Sequence, residues 1–262
     1  MFILSTYRSY KSSSTEVLQM FTNIYSKINR VMTKGFIRIT QKILKRNCPY
    51  KLEKIGSDYG GWVVPVDLIK SDWICYCAGV GEDITFDLGI IDRFSCNVFA
   101  FDPTPKSKNY VAKNAANNSK FQFYDVGLWS KNSVQKFFVP SNPRYVSHSI
   151  VNLKGTSDFF EATCKRLSTI MEELRHEKID LLKMDIEGAE HEVLRSILED
   201  NIDIKVLCVE FEPMPPLQIL ETILKLTSSN YTLVSVDGRN HTFIKTPILK
   251  SVAYSTSTMS CS

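Results

Sequence analysis

The chain has 262 residues, 44% of them hydrophobic and 23% charged, enough to bury one substantial core with a helical extension. No apolar run approaches the ~18 residues that cross a bilayer. Met1 to Thr15 also lacks a continuous apolar stretch of signal-peptide length, so neither a membrane span nor secretion is expected and the assignment is cytoplasmic. The formal charge of +4 hides an asymmetry, because residues 1–54 hold eleven Lys or Arg against two Glu, a net of +9, while the other 208 residues carry −5.

Taken in chain order, the first 54 residues read as a basic helical extension. Val17, Phe21, Ile24, Ile28 and Val31 recur at spacings of three and four, which predicts an amphipathic helix over 15–33. A second helical stretch, Phe36 to Leu44, follows before Pro49 interrupts the pattern. Such an arm suits peripheral contact with an anionic membrane surface, a polyanionic substrate or nucleic acid; its basic residues are equally the solvated face of a helix. The first fifteen residues, free of Asp and Glu, also admit a transit-peptide reading. Seven cysteines form no CxxC pair, which fits reduced thiols, with Cys75, Cys77 and Cys208 as core strand residues.

From Trp73 onward, short apolar runs alternate with helix-length segments, the pattern of a parallel sheet with crossover helices. The expected strands are 73–77, 97–101, 121–126, 179–184 and 206–211. Helices are expected over 82–94, 106–117, 188–199 and 215–229. Residues 231–236 and 241–245, separated by Asp-Gly-Arg-Asn, read as a terminal antiparallel pair. The stretch 135–166 reads as an insertion of short strands and loops over a cleft. A domain over 55–245 and a disordered Ser/Thr-rich tail over 246–262 complete the division.

The first strand runs into Ala78-Gly79-Val80-Gly81-Glu82-Asp83 and then a helix. Gly79 and Gly81 let the backbone turn sharply and approach a ligand at the carboxyl edge of the sheet. The second strand ends in Asp102-Pro103, where a carboxylate is placed to take the ribose hydroxyls of a nucleotide or, alternatively, to cap the next helix. After the third strand, Asp125 is positioned for an adenine amino group, with Val126 and Leu128 beside the ring. A dinucleotide fingerprint needs a third glycine where this chain has Ile84. Glu82 and Asp83 would repel a pyrophosphate and suit a cation, which points to S-adenosylmethionine with its sulfonium and ammonium groups.

The fourth strand delivers Lys183-Met184-Asp185-Ile186-Glu187-Gly188-Ala189-Glu190 to the same edge. This stretch resembles the DxEGAE motif of the FkbM family of methyltransferases. The resemblance extends through Tyr59-Gly60-Gly61-Trp62, GVGEDITFD, FDPTP at 101–105 and VSHS at 146–149, and spans roughly residues 58–245. It departs from the family's commoner Asp-x-Gly-Ala-Asn-x-Gly turn, with Cys75 and Cys77 where an acidic and a small residue often stand.

The resemblance implies a Rossmann-like class I methyltransferase fold, a seven-stranded and mostly parallel sheet with helices on both faces. It also implies O-methylation of a hydroxyl on a carbohydrate or glycosylated small molecule. An alcohol that keeps its hydroxyl proton is a poor nucleophile, so a general base is expected near the methyl group, from among Asp185, Glu187, Glu210 and His148. Asp185 has an alternative role at the cofactor's ammonium. Glu210 and Glu212 either share a divalent cation with the acceptor or bind acceptor hydroxyls directly. His241, Tyr59 and Trp62 are further candidates to touch acceptor or cofactor, with core packing as the alternative. A nucleic-acid methyltransferase is disfavoured, since no Asn/Asp-Pro-Pro-aromatic motif follows the fourth strand. A noncatalytic binding subunit is the other rival reading.

Overall fold

The computed structural model describes residues 45–115, 118–139, 156–212 and 216–245, with 35, 41, 42 and 44. The expected helix over 15–33, most of that over 36–44, His148 and the tail over 246–262 lie outside the described residues. By its contacts the chain separates into Met1–Leu44 and Lys45–Ser262, and every element below belongs to the second unit.

A hairpin comes first, β1 (Leu52–Ile55) against β2 (Trp62–Pro65), with Ile55 opposite Trp62. The central strands follow as β3 (Ile74–Ala78), β4 (Asn97–Phe101), β5 (Phe121–Tyr124), β9 (Ile179–Met184), β10 (Ile204–Glu210), β11 (Tyr231–Asp237) and β12 (Asn240–Lys245). They lie in the order β11-β12-β10-β9-β3-β4-β5. All are parallel across β10-β9-β3-β4-β5, and β12 runs antiparallel to both β10 and β11. This is the open sheet of a class I methyltransferase, with its order reversing between β3 and β9. Such a reversal opens a crevice at the carboxyl ends of the strands, where ligands bind in open α/β sheets.

The sequence builds this sheet because its strands are apolar on both faces, as a parallel sheet covered by helices demands. Every residue of β9 is buried. Against the sheet pack α1 (Thr85–Phe94), α2 (Pro105–Asn114), α3 (Leu167–Leu174), α4 (Glu190–Glu199) and α5 (Pro216–Ser228). Phe86, Ile90 and Ile91 form the buried face of α1, and Val193, Leu194 and Ile197 that of α4. Cys75, Cys77 and Cys208 are buried strand thiols as expected. At the amino edge the buried Asp180 accepts from Ile74 N at 3.0 Å and pairs with Lys205 at 2.5 Å, tying β9 to β3 and β10.

The described parts of the stretch 135–166 belong to a small second sheet, β6 (Gly127–Leu128), β7 (Ser133–Phe138) and β8 (Phe159–Lys165), in the order β6-β8-β7. Gly127 is required there, because a β-carbon would lie 2.7 Å from Cys164 Sγ. Among the described residues no helix is long and apolar enough to cross a membrane.

Candidate active site

The crevice is built around Gly79. Its φ of +80° lies in the left-handed region, and a β-carbon there would stand 1.6 Å from the Asp185 backbone oxygen. Only glycine lets the turn after β3 press this closely on the strand end that carries Asp185. Gly79 N donates to Phe101 O and Asp185 N to Ala78 O, both at 3.0 Å. The ends of β3, β4 and β9 are thereby locked together. Gly81 is also left-handed, at φ +56°.

Asp102 is buried beside this turn. Its Oδ2 accepts from Val80 N at 2.9 Å and Gly81 N at 3.0 Å, and its Oδ1 accepts from Thr104 N at 2.8 Å and Thr104 Oγ1 at 2.6 Å. A carboxylate has about four acceptor positions, and in this arrangement all are filled within the chain. Asp102 therefore shapes the site by holding the glycine turn and the Thr104 cap of α2. Pro103 packs at the same corner, with Cγ 3.2 Å from where a Gly127 β-carbon would lie.

Asp83 anchors the other side of the turn. Its Oδ1 accepts from Thr85 N at 2.8 Å and Thr85 Oγ1 at 2.6 Å, and its Oδ2 from Ser57 Oγ at 2.6 Å. Burial would raise this carboxyl, but the donors from Ser57 and Thr85 hold it below its ordinary value. Ser57 belongs to the loop between β1 and β2, so that loop is fixed to the glycine turn. At its tip Tyr59 is 84% exposed. Desolvation raises its phenol, as do the charges of Asp185, Glu187 and Glu210, so Tyr59 lies within the field of the acidic edge. Trp62, by contrast, is core, only 2% exposed.

On the acceptor side the turn after β9 carries the acids. Glu187 has φ +55°, and Gly188 follows at φ +99°. Glu190 is buried beneath them, accepting from Ile186 N at 3.0 Å and from Gly188 N at 3.0 Å. Burial pushes its carboxyl up to about 8, against the pull of those amides. Glu190 is thus the brace that holds Asp185 and Glu187 at the edge.

Glu210, at the end of the neighbouring strand, is raised to about 8, first by burial and then by the Asp185 charge, while Arg239 opposes the rise. The Arg239 guanidinium pairs with Glu210 at 2.6 Å and also with Glu212. Glu210 and Glu212 therefore face a cation supplied by the chain. Among the described residues no three His, Cys, Asp or Glu side chains gather to hold a metal ion, so the donor set expected for a divalent cation is not formed there.

The other expected residues fall further out. Glu82 is exposed on the turn. Asp125 is exposed and paired with Lys108 at 2.7 Å, and Val126 N closes a tight turn onto Tyr124 O at 2.9 Å. His241 is 2% exposed, its Nδ1 2.7 Å from Arg239 O, between the rings of Phe211 and Phe243. Burial lowers its imidazole to about 4, leaving a neutral ring that supports the Arg239 turn.

Two residues of the site escape a reading of sequence alone. Arg239 lies in a turn that reads as ordinary hairpin chemistry. Lys183 is the more informative omission, since a lysine inside the apolar run Ile179 to Met184 is itself the signal. It is only 5% exposed, and its Nζ donates to Gly79 O.

A doubly wound sheet with this order, a glycine turn after its first central strand and acids at the next strand ends define a class I methyltransferase domain. The sequence profile of the methyltransferase FkbM domain matches residues 78–233, and the chain belongs to that family. No curated protein matches the chain. Solved structures to which the chain is similar include the Methanococcus jannaschii fibrillarin pre-rRNA processing protein (14% identity, 76% of this chain and 83% of that chain, TM-score 0.42). An rRNA methylase from Streptococcus thermophilus aligns at 12% identity over 68% of this chain and 90% of its own, with a TM-score of 0.40. TYW2 of P. horikoshii, in complex with MeSAdo, aligns at 14% identity over 74% and 69%, with a TM-score of 0.34. Likenesses of this extent assign no acceptor.

Proposed function

We propose that the chain is an S-adenosylmethionine-dependent O-methyltransferase acting on a hydroxyl of a carbohydrate or glycosylated acceptor. The observation that carries the reading is the pair Asp185 and Glu210, on adjacent strand ends beside the glycine turn. The donor set fits this cofactor: Glu82, Asp83, Asp185 and Glu187 make the edge acidic, which favours a sulfonium and an ammonium over a pyrophosphate. Gly79 and Gly81, braced by Asp102 and Asp83, would form its backbone cradle. Pro103, Asp125 and Val126 would line the nucleoside end.

When bound, S-adenosylmethionine supplies an electrophilic methyl carbon whose bond to sulfur breaks with the electron pair leaving on sulfur. The chain's task is to align a hydroxyl with that carbon and remove its proton. Burial and the Asp185 charge raise Glu210 to about 8 while Arg239, 2.6 Å away, favours its ionised form, so Asp185 and Glu210 hold their negative charge as a pair. In this reading Asp185 receives the hydroxyl proton as the new bond to oxygen forms, and Glu187, Glu212 and Tyr59 orient the acceptor. An extension within residues 1–54 that gives way to the catalytic unit at Lys45, a catalytic domain running to 245, a tail over 246–262 and a cytoplasmic location complete the proposal.

Calorimetric titration of S-adenosylmethionine into the wild type, Asp185→Asn and Glu210→Gln tests it. The wild type is expected to bind. Asp185→Asn should retain the donor while turnover on glycan hydroxyls falls by about 10²–10⁴-fold. Loss of donor binding in that variant would assign Asp185 to the ammonium instead. A wild type that binds no donor sinks the methyltransferase reading, and methylation of RNA in place of glycans would replace the acceptor class.

A further inference from the structure

Lys183 has no part in the chemistry just described, yet it is the most unusual charge in the domain. The strand register sets it between Cys77 of β3 and Cys208 of β10, two buried thiols that cannot neutralise an ammonium at ordinary pH. Burying such a charge costs several kcal/mol unless it is paired and hydrogen-bonded. The carboxylates that favour its charge are first Asp185 and then Asp87 of α1; Asp87 is 2% exposed and its Oδ1 has no hydrogen-bond partner. The Trp62 ring stands 5.9 Å from Nζ and closes the space from the hairpin side. Asp185 lies two residues beyond Lys183, just past the end of this strand.

A lysine kept only to offset these carboxylates would have no need of a particular backbone partner. Here Nζ donates to the carbonyl of Gly79, the residue whose left-handed conformation lets the turn meet Asp185. The turn is therefore held by its amides from Asp102 on one side and by a carbonyl from Lys183 on the other.

We infer that Lys183 is a positioning residue for the cofactor: its buried ammonium fixes the Gly79 carbonyl, and so the shape of the glycine turn, from beneath. The inference rests on the S-adenosylmethionine reading of that turn. It separates two jobs, charge balance with Asp87 and a hydrogen bond to Gly79, and substitution can separate them too.

The test compares two charge-balanced double variants, Lys183→Met with Asp87→Asn and Lys183→Gln with Asp87→Asn. Both remove the buried charges together. Only glutamine retains a donor able to approach the Gly79 carbonyl. Melting temperature and calorimetric affinity for S-adenosylmethionine are measured for both and for the wild type. The expected result is similar melting temperatures, with the methionine pair binding at least about tenfold more weakly than the glutamine pair, about 1.4 kcal/mol. Equal affinities would reduce Lys183 to a charge-balancing group and overturn the inference, as would failure of both pairs to fold. A wild type that does not bind the donor overturns the cofactor reading itself, a result distinguishable from equal affinities among proteins that bind.

Discussion

Gly79 and Glu187 show opposite uses of the left-handed backbone. At Gly79 there is no space for a side chain, because the Asp185 oxygen stands 1.6 Å from the β-carbon position, so Gly79→Ala must push β3 and β9 apart. We expect it to destabilise the domain by more than about 3 kcal/mol, read as a large fall in the urea midpoint. Glu187 is a carboxylate at φ +55° where glycine would be more comfortable by about 1–2 kcal/mol, partly offset by glycine's greater unfolded-state freedom. Glu187→Gly should leave stability unchanged or raise it by up to about 1 kcal/mol while lowering turnover. Retention of full activity would show that the strained carboxylate has no role toward the acceptor.

At the scale of elements, the hairpin β1–β2 combines two residues of opposite character within four positions. Trp62 is fully buried, and Trp62→Ala should cost about 3–5 kcal/mol. Tyr59 is 84% exposed, so Tyr59→Ala should shift stability by no more than about 0.5 kcal/mol and act instead on the acceptor KM. A fall in melting temperature for Tyr59→Ala would place the ring in the fold rather than over the site. This hairpin was hard to read from sequence because its strands have four residues each and flank a loop held by Asp83. The central strands were legible because strands buried on both faces must be continuous apolar runs. Helix starts were less so: α1 begins at Thr85 rather than 82 because Asp83 takes the Thr85 amide, and α4 begins at Glu190 rather than 188 because Glu187 and Gly188 form a left-handed turn. The expected strand 121–126 stops at Tyr124, where Val126 turns back on it. Helix α3 was not anticipated, as Leu167–Leu174 follows directly on a strand. In the site, the glycines and strand-end acids are visible as motifs. The partners that fill Asp102's acceptor positions, and Lys183 beneath the turn, depend on register and could not be read from spacing.

For the whole domain, buried ionisable groups set how stability responds to pH. Glu190 and Glu210 are raised from 4.5 to about 8, so between those values the folded chain holds protons that the unfolded chain has lost, and stability falls as pH rises. His191 and His241 act in the other direction. Burial lowers both from 6.5 to about 4, so over that window the unfolded chain binds the extra protons and stability is lost as pH falls. The two effects oppose each other between about 4.5 and 6.5. Above 6.5 the histidines are neutral in both states and the slope is set by raised carboxyls, Glu190 and Glu210 together with the buried Asp87, so stability should decline from about pH 6.5 to about pH 8. Glu190→Gln keeps an acceptor for the turn amides and removes one of these descending contributions; urea midpoints measured across this range should fall less steeply in that variant. An unchanged slope would mean that the amides of Ile186 and Gly188 hold Glu190 ionised in the folded domain. Activity should move the opposite way to stability over the same range, because loss of the Glu210 proton adds negative charge to the pair that receives the acceptor's proton. kcat/KM is therefore expected to climb through about pH 8 in the wild type and to lose that limb in Glu210→Gln. Glu210 thus contributes both to the alkaline loss of stability and to the alkaline gain in reactivity, so Glu210→Gln should lose the alkaline limb of kcat/KM while its stability slope becomes shallower, with Glu190 keeping its own share.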